Sequence, residues 1–164
     1  MYIHRYLQEQ KYNKVLVTDV KDVKFNTDPF TMLPSDKLLA TGEVIKYKDD
    51  EWNMQHLIYN IGVFGFDFKE EEVLNVGVFG GSADLVRDLS RDIFLLSAGK
   101  PKVADQTSFN YLARTLYKDK FIFTSIHDKV AVHLQVIVNG LVDFDYSTIP
   151  YYPIVHQYDR IKNV

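Results

Sequence analysis

The chain has 164 residues, no cysteine and a formal net charge of −3, with 46% hydrophobic and 25% charged residues. That length and composition suit one domain with a buried core, and they exclude a disordered chain, a disulfide framework and thiolate metal sites. A mildly acidic chain builds no basic field for nucleic acid or an anionic membrane. No apolar run approaches the ~20 residues that span a bilayer, so no transmembrane segment is expected. Residues 1–11 carry no apolar signal-type stretch. The lack of cysteine fits a reducing compartment, and a cytoplasmic location is the expectation. The 11 Tyr and 11 Phe, beside one Trp, either fill a β-rich core or line a sugar-binding cleft.

Residues 2–10 read as a short helix in which Tyr2, Tyr6 and Leu7 share a face. Lys14 to Thr18 (KVLVT) is a run of β-branched and aliphatic residues that predicts a buried strand. It runs into Asp19-Val20-Lys21-Asp22, and Phe25, Asp28-Pro29-Phe30 and Pro34 then mark a turn-rich stretch. Lys37 to Thr41 is a second strand that ends near Gly42-Glu43, and Glu51 to Ile61 is a helix offering Trp52, Leu57 and Ile58 for packing. Leu74 to Gly81 (LNVGVFGG) is a strand ending in glycines. Ser82 then caps a helix with apolar residues at Leu85, Val86, Leu89, Ile93 and Phe94, stopped by Gly99 and Pro101. A further amphipathic helix starts at Asp105 or Gln106 with the stripe Phe109, Leu112, Ala113, Leu116 and Tyr117. Phe121 to Thr124 and Val130 to Val138 read as strands, the second from the alternation Val130, Val132, Leu134, Val136. Tyr151 to Val155 is extended and delivers His156-Gln157-Tyr158-Asp159-Arg160.

Strands alternating with helices imply an α/β fold. Ligands of open α/β sheets bind at the carboxyl ends of strands, where Asp19/Asp22, the Asn75–Gly81 segment and His156 stand. Asp19 and Asp22 directly follow a strand, and paired carboxylates repel unless a cation or donor lies between them. Hard oxygen ligands suit Mg²⁺ or Mn²⁺, and an imidazole such as His156 tilts the choice towards Mn²⁺. By spacing alone the two acids are equally two solvated turn residues. Asp105 either caps a helix or aims a carboxylate into the cleft. Gly77, Gly80 and Gly81 permit close approach of a ligand or form a tight turn. No dinucleotide fingerprint, phosphate loop, zinc-type histidine spacing or hydrolase elbow is present. A metal-dependent phosphohydrolase would need more convergent acids or histidines than the chain offers.

Four blocks together resemble the GT-A type of nucleotide-sugar glycosyltransferases. VLVTDVKDVKFNTDPF (Val15–Phe30) resembles their strand and acidic metal motif, and LNVGVFGGS (Leu74–Ser82) their N-x-G block beside the donor sugar. VADQTSFNYL (Val103–Leu112) resembles their D-Q-x-x-x-N helix start, and IVHQYDR (Ile154–Arg160) their C-terminal metal-binding histidine segment. The blocks occur in the family's order across most of the chain. Analogues with such blocks are the glycosyltransferase domains of collagen-modifying lysyl hydroxylases and bacterial or algal proteins with a similar D-x-x-D.

The resemblance implies a GT-A fold, a mixed sheet flanked by helices. It implies Asp19, Asp22 and His156 as ligands of Mn²⁺ (or Mg²⁺), and a nucleotide sugar, a UDP-sugar, as donor. Asn75, Gly77 and Gly80 would line the donor pocket, and Arg160 would add positive charge near the phosphates. Asp105 would be the base of an inverting reaction; in a retaining one Asp105 or Gln106 would orient the sugar. Trp52 would stack on a sugar or pack in the core. The acceptor would be a hydroxyl of a glycan, lipid or protein. In this family roughly two or three strand–helix units precede the acidic motif and bind base and ribose. Only residues 1–18 precede Asp19, so residues 1–164 are expected to form a single, N-terminally truncated GT-A catalytic domain with an open sheet edge. The alternative to a glycosyltransferase is a non-catalytic remnant or binding module of the same fold.

Overall fold

The computed structural model describes residues 2–100 and 103–161; Pro101, expected as a helix stop, lies outside them. The chain is α/β. Its strands are β1 (Lys14–Thr18), β2 (Val23–Phe25), β3 (Leu38–Lys46), β4 (Glu72–Ser82), β5 (Phe121–Thr124), β6 (Ala131–His133) and β7 (Ile154–His156). Its helices are α1 (Tyr2–Glu9), α2 (Glu51–Ile61), α3 (Ala83–Ser97), α4 (Ala104–Arg114) and the single turn α5 (Leu134–Val138). No helix among the described residues is long and apolar enough to cross a membrane.

The main sheet is mixed and runs β1-β4-β3-β5. β1 and β3 pair antiparallel with β4, and β5 pairs parallel with β3. The second sheet runs β2-β7-β6, with β2 antiparallel and β6 parallel to β7. Alternation along β4 sets the layers. Phe79 points to a core shared with Leu7 of α1, Val86 and Leu89 of α3, and Phe109, Leu112 and Ala113 of α4. Its neighbour Val78 points the other way, onto Ala131 and Ile154 of the second sheet. A further core joins α2, α5 and the C-terminal turns through Tyr47, Leu57, Val132 and Tyr152.

Several expectations are corrected. β1 is the edge of its sheet, so all five of its residues are half-buried rather than buried. In α1 the face turned to α3 is His4 and Leu7, and Tyr2 and Tyr6 are exposed. Ser82 makes no side-chain cap; the Ala83 N–H is instead taken by the Asn13 carbonyl at 3.1 Å. The 130–138 strand ends at His133. The Gln135 N–H leaves the ladder for the Gln157 side-chain oxygen at 3.0 Å, and the following turn buries Leu134, Val136 and Ile137 together. Apolar residues on both sides of that run mimic the period-two pattern. Tyr151 closes a 3-10 turn (Tyr146–Tyr151) rather than opening a strand. The stretch expected to be all turns contains the strand β2, and β3 runs on through Gly42-Glu43 to Lys46.

Candidate metal centre

Two backbone hydrogen bonds and one strand pairing bring the chemistry-bearing residues together. The Asp19 N–H donates to the Gly77 carbonyl at 2.9 Å and ties the end of β1 to β4. The Gln157 N–H donates to the Asp22 carbonyl at 2.6 Å, and β2 and β7 pair Val23 with His156, so Asp22 stands beside the histidine. Gln157 holds a left-handed conformation (φ 61°) directly after His156. A non-glycine residue in that region is uncommon and is held there by its surroundings.

Asp19, Asp22 and His156 each place a ligand atom within 4.8 Å of the others. Nε2 of His156 lies 3.2 Å from Asp19 Oδ2 and 3.8 Å from Asp22 Oδ1. The His156 ring is buried (2% exposed), whereas the Asp19 side chain is 60% exposed and opens the cluster to solvent. Burial lowers the His156 pKa, and the charges of Asp22 and Asp19 oppose that shift. A neutral imidazole and two carboxylates are a donor set for Mn²⁺ or Mg²⁺. Gly77 makes room for it: a Cβ there would stand 2.6 Å from His156 Cε1 and 2.7 Å from Asp19 Oδ2. The residues therefore fit a divalent cation. Among the described residues no other three such side chains come close enough to share an ion.

A cleft of about 460 Å³ runs from Asp19, Gly77 and His156 past Asn75 and Glu43 to Trp52, Asp105 and Gln106. Asn75 organises its floor, accepting from the Gly77 N–H at 2.7 Å and donating to Glu43 Oε1 at 2.5 Å. Trp52 is 53% exposed and lies tilted on the His56 ring, so it belongs to the cleft wall and not to the core. Asp105 is exposed and its Oδ1 accepts from the Gln106 N–H. Gln106 is engaged structurally: its Oε1 accepts from the Val76 N–H at 2.8 Å. One helical turn on, Asn110 accepts from the Leu74 N–H and donates to the Leu74 carbonyl. The two amides satisfy backbone groups along the outer half of β4, which accounts for the spacing of that motif.

Two expected donor-pocket residues stand elsewhere. Gly80 packs against the β1 backbone, where a Cβ would meet the Val15 carbonyl oxygen at 2.7 Å, and it does not line the cleft. Arg160 lies 3.6 Å from Asp159 and outside the cleft lining, although its charge reaches His156 and lowers its pKa.

Glu43 is the residue the sequence reading missed. Burial pushes its carboxyl up to about 7, against the Asn75 hydrogen bond and with help from the Asp50 and Glu72 charges. It sits where β3 slips register against β4, just before Val44, a β-branched residue at φ 63°. Such bulges re-aim side chains and gather at active sites. The only local signal was a carboxylate within an otherwise apolar strand sequence.

A groove of about 720 Å³ flanks β1 and is lined by Tyr2, Tyr6, Tyr12 and Phe30, with Lys14 its one charged residue. It carries none of the convergent polar groups of the cleft. No protein-family model matches the chain, and no curated protein is similar to it.

Proposed function

We propose that this chain carries the metal–diphosphate corner and sugar cleft of a GT-A type glycosyltransferase. The reaction moves a sugar from a nucleotide-diphosphate donor, a UDP-sugar, to an acceptor hydroxyl. The observation that supports this is the convergence of Asp19, Asp22 and His156 at one end of a cleft that continues to Asn75, Glu43, Trp52 and Asp105.

Asp19 and Asp22 would hold Mn²⁺ or Mg²⁺ with Nε2 of the neutral His156. When bound, the cation supplies charge that neutralises the diphosphate and stabilises the departing nucleotide. Asn75 positions the floor beside the anomeric carbon, and Trp52 offers a ring face to the sugar. Asp105, on the wall, hydrogen-bonds sugar hydroxyls. Glu43 is the carboxylate whose proton affinity lies nearest neutrality, as a group that accepts a hydroxyl proton should be. In the overall transfer the anomeric carbon–phosphate oxygen bond breaks, the bond to the acceptor oxygen forms, and the acceptor's proton leaves to a carboxylate.

The test is thermal unfolding with Mn²⁺ alone and with Mn²⁺ plus UDP, on the wild type, Asp22→Ala and His156→Ala. A ligand that binds only the folded chain raises the midpoint. The reading requires stabilisation by UDP that depends on Mn²⁺ and vanishes in both variants. Stabilisation by Mn²⁺ with none from UDP would reduce the chain to a metal-binding module of this fold. No response to either would overturn the reading.

A further inference from the structure

His133 is fully buried, and its Nδ1 lies 3.0 Å from Nδ1 of His156, the two rings at 90°. Between two such nitrogens one must carry the proton and the other must accept it. Without a cation, His156 Nε2 faces two carboxylates at 3.2 Å and 3.8 Å, which require an N–H there. A neutral His156 then has a bare Nδ1, and the bridging proton belongs to His133. That leaves Nε2 of His133 bare, and this buried atom has no hydrogen-bond partner.

A cation on His156 reverses every element of this pattern. A metal-ligating Nε2 must be bare, which moves the His156 proton to Nδ1. That N–H donates to Nδ1 of His133, and the His133 proton moves to Nε2. Each ring keeps one proton in both states.

We propose that His133 is a positioning residue of the metal site: the His133–His156 pair is a proton-ordered couple whose polarity inverts when a cation displaces the proton from His156 Nε2. This rests on Asp19, Asp22 and His156 being a cation site. The partner of a metal-bound histidine is ordinarily a fixed acceptor such as a carboxylate or carbonyl. Here it is a second imidazole, which can donate to His156 or accept from it through the same Nδ1.

The experiment is ¹⁵N NMR of the full chain labelled at histidine, titrated with Zn²⁺ as a diamagnetic probe, beside Zn²⁺ affinities of the wild type, His133→Phe and His133→Gln. Before Zn²⁺ the expected pattern is protonated Nε2 in His156 and bare Nε2 in His133; Zn²⁺ inverts both. Phe fills the space but accepts nothing, and its affinity should fall by about 10–100-fold. Gln can accept from His156 and should restore most of that loss. Inversion of His156 with His133 unchanged, or full affinity in His133→Phe, overturns the couple and leaves the metal site standing. Failure of Zn²⁺ to move His156 in the wild type removes the metal site and the couple with it. If His133→Phe does not fold, the wild-type spectra decide alone.

Discussion

The Asn75 side-chain amide donates to the Glu43 carboxyl at 2.5 Å, deep in the cleft floor. That bond lowers the Glu43 pKa, but burial outweighs it and holds the carboxyl at about 7. A carboxyl raised above its unfolded value binds more protons in the folded chain between about pH 4.5 and 7. Wild-type stability therefore drops as pH rises through that window, by an amount of order 3 kcal/mol for this group. Glu43→Gln keeps an acceptor for Asn75 and has no charge to bury. The variant should match the wild type at pH 4.5 and exceed it at pH 8, read as the difference between two urea-unfolding series. If Glu43 takes the acceptor's proton as proposed, sugar transfer from a UDP-sugar should be absent in the variant at every pH.

Gly77 lies where β4 passes against His156 and Asp19 of the candidate metal site. Gly77→Ala puts a methyl 2.6 Å from His156 Cε1 and 2.9 Å from Asn75 Oδ1. Overpacking of this kind costs about 1–3 kcal/mol, and the displaced imidazole should weaken Mn²⁺ binding at least tenfold. Calorimetric titration with Mn²⁺ reads the affinity, and unfolding without metal reads the stability.

The D-Q-x-x-x-N segment separates into roles that substitutions can tell apart. Gln106→Ala and Asn110→Ala each strand buried backbone groups of β4 and should cost about 1–3 kcal/mol. Asp105→Ala removes an exposed carboxylate that bonds only the neighbouring N–H, and its stability cost should stay within about 0.5–1 kcal/mol. Activity should fall in Asp105→Ala despite its near-native unfolding curve.

Trp52 contributes little to the core. Trp52→Ala should change stability by no more than about 0.5 kcal/mol. Donor affinity should drop while Mn²⁺ affinity holds, which isothermal titration with each ligand separately will show.

The elements with strong local signals were readable in advance. Glu51–Ile61 matches α2, and Asp50 caps it as an acidic residue before a helix should. Asp19 directly follows β1 and His156 closes β7, as the strand-end rule expects, whereas Asn75 and Gly77 lie within β4 and reach Asp19 because β4 runs antiparallel to β1. What could not be read depended on partners distant in the chain. Ala131–His133 and Leu134–Val138 share one apolar pattern, and only Gln157, contributed from the far end of the chain, separates strand from turn. Glu43 looked like the polar end of a strand, because neither the bulge at Val44 nor its burial is written in local residue order. His133 looked like an isolated histidine because its partner is 23 residues away.

Gln106 and Asn110 grip β4 through main-chain N–H and C=O groups. A grip on main chain is blind to the side chains of the strand it holds. Mutational drift at Leu74 and Val76 is thereby limited by core packing alone, while the helix keeps its position over them. The two amides have no such latitude: a hydrophobic residue at either place would pack as well and dock nothing. In a saturation-mutagenesis map, positions 74 and 76 should accept a range of apolar residues, and positions 106 and 110 should accept almost none.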